Sequence, residues 1–141
     1  MSEKWGRRLF AAGAVVLILL GAAHSMSLIG KMTPTNETER QLLDLMTTYR
    51  FNLAGSMRTM DNLFRGFSIC FLVGAIGLGM LDLVLWRERS GLLKRVALVN
   101  VIWLAVETAV SLRLFFVIPT TFLVVALALF VAVWIGLPSA S

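Results

Sequence analysis

The sequence is poor in the residues on which most soluble active sites are built. Its 141 residues include one cysteine, one histidine, one tyrosine and three prolines. A single cysteine, Cys70, excludes an intramolecular disulfide. Cys70 lies inside an apolar run and reads as a buried structural thiol, because a reactive one needs an electropositive, accessible setting. A single histidine, His24, without a paired ligand, excludes an ordinary zinc site. A haem would have that one axial histidine and no second ligand. There is no glycine-rich phosphate loop, nucleophile elbow or CxxC pair. The residues therefore imply no metal and no cofactor.

Charge is scarce as well. Asp, Glu, Lys and Arg make up 15% of the chain, against about 25% in soluble domains. The balance is basic, with a formal charge of +5. The cations sit mainly beside the ends of apolar runs, where topology signals belong, and no aromatic-plus-basic platform accompanies them. Nucleic acid is thereby excluded as a partner.

What the chain has is apolar length. It is 58% hydrophobic, with a mean hydropathy of +0.84, and the apolar residues fall in blocks. Four runs qualify as spans: 9–29, 62–86, 96–116 and 118–137. Each holds about 20 residues or more, enough for a hydrocarbon core of roughly 30 Å. Alternating strands are absent, so helices must satisfy the backbone in lipid. The expected fold is all-α: one transmembrane domain over 1–141, a four-helix up-down bundle with an outer loop at 30–61. Lys4, Arg7 and Arg8 before the first run resemble a signal-peptide layout. Apolar residues resume at Met26, Leu28 and Ile29, which favours an uncleaved first helix.

Lys4, Arg7 and Arg8, and then Arg87, Arg89, Lys94 and Arg95, form two short, densely basic segments. The longer loop dilutes Lys31, Arg40, Arg50 and Arg58 with Glu37, Glu39, Asp44 and Asp61. The positive-inside rule then predicts cytoplasmic termini. Pro119 suits the first position of the fourth helix. In the outer loop, Asn36 and Glu39 have capping-box spacing. Leu42, Leu45, Met46 and Tyr49 follow on one helical face. This predicts an amphipathic helix over about 37–50, lying on the outer membrane surface or capping the bundle. Asn52 to Gly55 breaks it, and the next helix is expected to restart near Ser56.

Glu107 stands out within this frame. It is an ionisable residue near the centre of the third span. A carboxylate there costs about 2.5–3.5 kcal/mol on insertion scales unless it is paired or wetted. At about 100° per residue, Asn100, Trp103, Glu107 and Ser111 share one stripe of that span. Arg58, Asp61, Arg65 and Ser68 share another on the second span, and His24 shares a face with Gly13 and Gly21 on the first. These placements predict one outward-facing polar pocket lined by His24, Arg58, Asp61, Arg65, Glu107 and Ser111. Asn100 and Trp103 form its floor, and His24 or Arg65 partners Glu107. Asp82 is expected to pair with Arg87 or Arg89, and Arg113 to snorkel. Trp5, Trp86 and Trp134 read as interfacial anchors, and Gly74, Gly77 and Gly79 as packing residues. The alternative to a pocket is a structural contact between His24 and Glu107, worth about 0.6 kcal/mol on average in membranes.

Three resemblances bear on the chemistry. Asn100-x-x-Trp103 with Glu107 and His24 is similar in residue types to sterol-isomerase-like membrane proteins of the EXPERA group, which implies acid–base chemistry on a lipid-like substrate. The chain has one carboxylate where that chemistry wants more. The four-helix layout with one intramembrane Glu resembles small multidrug transporters, which implies proton coupling; those carry the Glu in the first helix. The layout over nearly the whole chain resembles small bacterial four-helix membrane proteins of unknown function, loosely DoxX-like. That resemblance is carried by Gly21-Ala22-Ala23-His24, by Arg50 through Thr59, and by Phe64-Arg65-Gly66-Phe67. It implies a bacterial cytoplasmic membrane and no established activity. The reading preferred is an inner-membrane protein whose polar pocket binds a small or lipid-like ligand, with membrane lipid as its other partner. A homo-oligomer is compatible with the sequence but not indicated by it.

Overall fold

The computed structural model describes residues 1–30 and 32–138. Lys31, one of the outer-loop cations, lies outside the described residues, as does the stretch 139–141. In chain order the elements are α1 (Glu3–Ile29), α2 (Glu37–Thr48), β1 (Phe51–Leu53), β2 (Ser56–Arg58), α3 (Met60–Leu85), α4 (Ser90–Leu114) and α5 (Val117–Gly136). The chain is all-α apart from one short hairpin. Four helices, α1, α3, α4 and α5, are long and apolar enough to cross a membrane, which makes this a multi-pass membrane protein.

The helix ends follow local chemistry. Ser2 accepts the Trp5 amide at the start of α1. Asn36 Oδ1 accepts the Glu39 amide at the start of α2, 2.9 Å away. The Glu39 carboxylate reaches back to Thr35, accepting from its amide and its hydroxyl at 2.7 Å each. Together these satisfy donors that a helix start leaves free. They hold Glu39 below the ordinary glutamate range, the Thr35 backbone contact first among the causes. Helix α2 ends at Thr48, close to the expected boundary.

Residues 51–58 depart from expectation. The helix does not restart near Ser56; Phe51 pairs with Arg58, Asn52 with Met57 and Leu53 with Ser56 in an antiparallel hairpin. The turn places Ala54 at φ 48° and Gly55 at φ 84°, the left-handed pair that two-residue hairpins favour. Asn52 Oδ1 accepts the Gly55 amide at 2.9 Å and braces the turn. Helix α3 starts only at Met60, under a reciprocal cap in which Thr59 accepts the Asn62 amide and Asn62 accepts the Thr59 amide. Pro119 falls at the third helical position of α5, not the first. It is still in the first turn, where its missing N–H breaks no intrahelical bond.

Helix α1 is the hub. It packs along α3 on one side and α5 on the other, with a lesser contact to α4, while α4 packs along α5. Small residues set the α1 contacts. A Cβ on Gly13 would lie 2.9 Å from the Phe130 ring of α5. One on Gly79 would lie 2.6 Å from the Ala14 carbonyl oxygen of α1. One on Gly21 would lie 3.1 Å from the Leu72 carbonyl oxygen of α3. Gly74 and Gly77, read as packing residues, face open space instead. Cys70 is also exposed, on the bare side of α3, and is not the buried thiol expected. Phe10 and Phe130 meet edge to face, centroids 5.4 Å apart, at the centre of the apolar core.

One end of the molecule holds both the chain start and the end of α5. Gly6 lies against Leu137 and Gly136 against Met1. Lys94 Nζ donates to the Leu137 carbonyl at 2.9 Å. The Arg7 guanidinium donates to the Arg87 carbonyl in the α3–α4 turn. This is the terminal end. The opposite, hairpin end carries α2, the hairpin and the α4–α5 turn.

Candidate functional site

Helix α4 presents one inward stripe, formed by Ser90, Leu93, Ala97, Asn100, Leu104, Thr108 and Ser111, all buried. Two of its polar members find partners, each on a different neighbour, while Ser90 Oγ and Thr108 Oγ1 have none among the described residues. Ser111 shares a 2.7 Å hydrogen bond with Thr120 of α5. Asn100 Nδ2 donates to Asp82 Oδ2 of α3 at 2.8 Å. Asp82 is 0% and Asn100 1% exposed, so this bond sits wholly inside the protein. It is the polar centre of the structure. Asp82 was expected to reach Arg87 or Arg89 at the membrane boundary. Instead Arg87 turns over the Trp86 ring, 4.9 Å from its centroid. Burial of Asp82 on the inward face of α3 leaves the Asn100 amide within reach and those guanidinium groups outside it.

Asp82 and Asn100 are also a bridge between two helices that otherwise meet sparingly. Helices α3 and α4 follow each other through residues 86–89, yet they have no extended packing. Lys94, which is bonded to the end of α5, lies about 120° round α4 from Asn100. Glu107 and Trp103 lie about 20° and 60° from Asn100 in the other direction, on the α3 side of the stripe. Both are half-buried, and Trp103 packs against the core. On α3, Leu78 and Phe71 lie one and three turns toward the hairpin end from Asp82. The His24 ring of α1 stacks edge-on to Phe71, centroids 4.9 Å apart.

The predicted pocket is therefore brought together only in part. Glu107 has no hydrogen bond or ion pair among the described residues; neither expected partner, His24 or Arg65, bonds to it. Arg65 Nε donates to Asp61 Oδ2 at 2.9 Å, and this pair lies at the surface, the arginine side chain 59% exposed. An apolar α3 surface offers Arg65 nothing inward, whereas Asp61 sits one turn away on its own helix. Arg58 is not on a helical face at all. It lies exposed on β2, its guanidinium directed at the Met57 carbonyl. Ser111 belongs to the α4–α5 contact. What remains of the expected cluster along the seam is His24, Asn100, Trp103 and Glu107, with Asp82 added.

Two buried polar atoms along it, His24 Nε2 and Asp82 Oδ1, have no hydrogen-bond partner among the described residues. Unmatched polar atoms in a buried setting cost about 1–3 kcal/mol each. Among the described residues, no three His, Cys, Asp or Glu side chains gather as metal ligands. Arg113 and its neighbours Val106, Ala109, Val110 and Leu114 line a separate shallow groove of about 500 Å³.

No protein-family model, curated protein or solved structure matches this chain.

Proposed function

We propose that the chain is a bacterial cytoplasmic-membrane protein, with both termini in the cytoplasm, whose α3–α4 seam binds a small or lipid-like ligand. The observation that carries the reading is the half-buried, unpaired Glu107 beside two helices that meet only sparingly. A ligand-free protein gains nothing from a carboxylate kept there without a partner. A ligand with an apolar body and a hydrogen-bonding or cationic head fits the surroundings. Leu78, Phe71 and Trp103 offer apolar surface, and Glu107, His24 and the Asp82–Asn100 bridge offer polar contacts at separate depths. The basic residues crowded at the terminal end support the orientation.

The test is photolabelling of the purified protein in lipid nanodiscs with a diazirine-bearing amphiphile. Labelling should be saturable, suppressed by unlabelled competitor, and concentrated on peptides containing Phe71, Leu78 and Trp103. Trp103→Ala should reduce it. Uniform, non-competable labelling, reaching equally the bare α3 side around Gly74 and Gly77, would mean ordinary lipid contact and would sink the proposal.

A further inference from the structure

Helix α2 is amphipathic and only partly covered by α3. At about 100° per residue, Leu45, Tyr49, Leu42, Met46 and Leu43 span one arc of roughly 160°. Arg40, Asp44, Glu37, Thr47, Thr48 and Gln41 fill the opposite arc, and of the polar residues only Thr38 and Glu39, in the first turn, fall within the apolar one. No residue of α2 is buried. Leu43 and Met46 are half-buried, but Leu42, Leu45 and Tyr49 are 56%, 58% and 64% exposed. An apolar row of that kind needs a cover. The helix rests against α3, but that contact leaves Leu42, Leu45 and Tyr49 exposed, so the long helices do not cover the apolar row.

We infer that the Leu42–Leu45–Tyr49 row of α2 is immersed in the lipid–water interface of the same membrane that the long helices span. The tethers argue for this occupant. Residues 30–36 join α2 to the end of α1. Seven residues reach at most about 25 Å. On the other side the hairpin runs into α3 with only Thr59 between. Both anchors are ends of membrane-crossing helices, so α2 is held at the membrane boundary. The apolar surface is also continuous in kind with the exposed Met26 and Ile29 of α1 and Met60 and Phe64 of α3 at that end. The charge of α2 then defines the mode. It carries Glu37, Glu39 and Asp44 against Arg40 alone, so attraction to anionic headgroups is absent and apolar immersion must supply the binding.

Single cysteines at Arg40, Leu45 and Tyr49, introduced into a Cys70→Ser background, carry an environment-sensitive fluorophore in nanodiscs. Labels at Leu45 and Tyr49 should be quenched by lipids bearing a doxyl group near the headgroup. They should resist aqueous iodide several-fold better than the Arg40 label, equally in zwitterionic and in partly anionic nanodiscs. Iodide access at Leu45 matching that at Arg40 overturns the inference. So does a Leu45 label shielded from both iodide and doxyl lipid, which would mean a protein cover, or doxyl quenching that appears only with anionic lipid. The Arg40 label serves as the control for folding, since it reads the same helix on its polar side.

Discussion

Asn100 of α4 donates to Asp82 of α3 at 2.8 Å inside a protein whose α3 and α4 otherwise hardly touch. A sparse helix pair is thus held in register by one polar bond between two buried side chains. The bond is also the boundary of the proposed binding seam, because it marks the depth at which α3 and α4 come together.

Removing one partner should cost more than removing both. Asn100→Leu leaves the buried Asp82 carboxyl without its donor and should destabilise the protein by about 2–3 kcal/mol. Asp82→Asn, which keeps an amide–amide bond, should cost less. The Asp82→Leu, Asn100→Leu double variant should recover much of the loss, as buried polar pairs often do when replaced together. Unfolding in mixed micelles reads all three. A double variant less stable than Asn100→Leu alone contradicts this account.

Glu107 should behave in the opposite way. It has no partner to lose, so Glu107→Gln is expected to leave stability within about 0.5 kcal/mol or raise it slightly. A loss above about 1 kcal/mol would show that Glu107 is held by an interaction this structure lacks.

The glycines of α3 should divide sharply. Gly79→Val drives a side chain into the Ala14 backbone, which no rotamer change can relieve. It should push α1 and α3 apart and abolish or severely weaken folding. A Cβ on Gly74 meets nothing within 4 Å, so Gly74→Val should be tolerated. Yield and monodispersity on gel filtration distinguish the two.

The start of α2 should be acid-sensitive. Glu39 is lowered in the folded protein by its bonds to Thr35, so its contribution is present above the ordinary glutamate value of 4.5. That contribution is lost as pH falls through the depressed folded value. Amide exchange at Thr35 and Glu39 should therefore quicken, relative to intrinsic rates, on acidification below the glutamate range. Glu39→Gln should remove most of that dependence.

The lesson for reading such a chain lies in what depth can and cannot say. Asp82 and Asn100 are both visible in the sequence as polar exceptions in apolar runs. In the spans 62–86 and 96–116 each lies four residues, about 6 Å, inside the inner end. They share a level, but depth does not say which faces meet, so the bond between them was not expected. Arg58 misled for a local reason: the left-handed pair at Ala54 and Gly55 turns the chain into a hairpin before α3 begins. The Asp61–Arg65 contact, being within one helix, was legible from its spacing alone.

The sequence by itself determined the all-α membrane class, the approximate spans and the amphipathic α2. These follow from apolar length, helical periodicity and capping residues, which act over a few turns of one chain segment. Only the tertiary structure decided that Glu107 stands unpaired and that Asn100 belongs to Asp82. Those outcomes depend on which helices touch and at what height. Close approach at Gly13, Gly21 and Gly79 draws α1 between α3 and α5 and leaves α3 and α4 to meet through a single buried bond. Glycine permits such contacts without naming the partner, and the partner is what decides where each polar side chain ends.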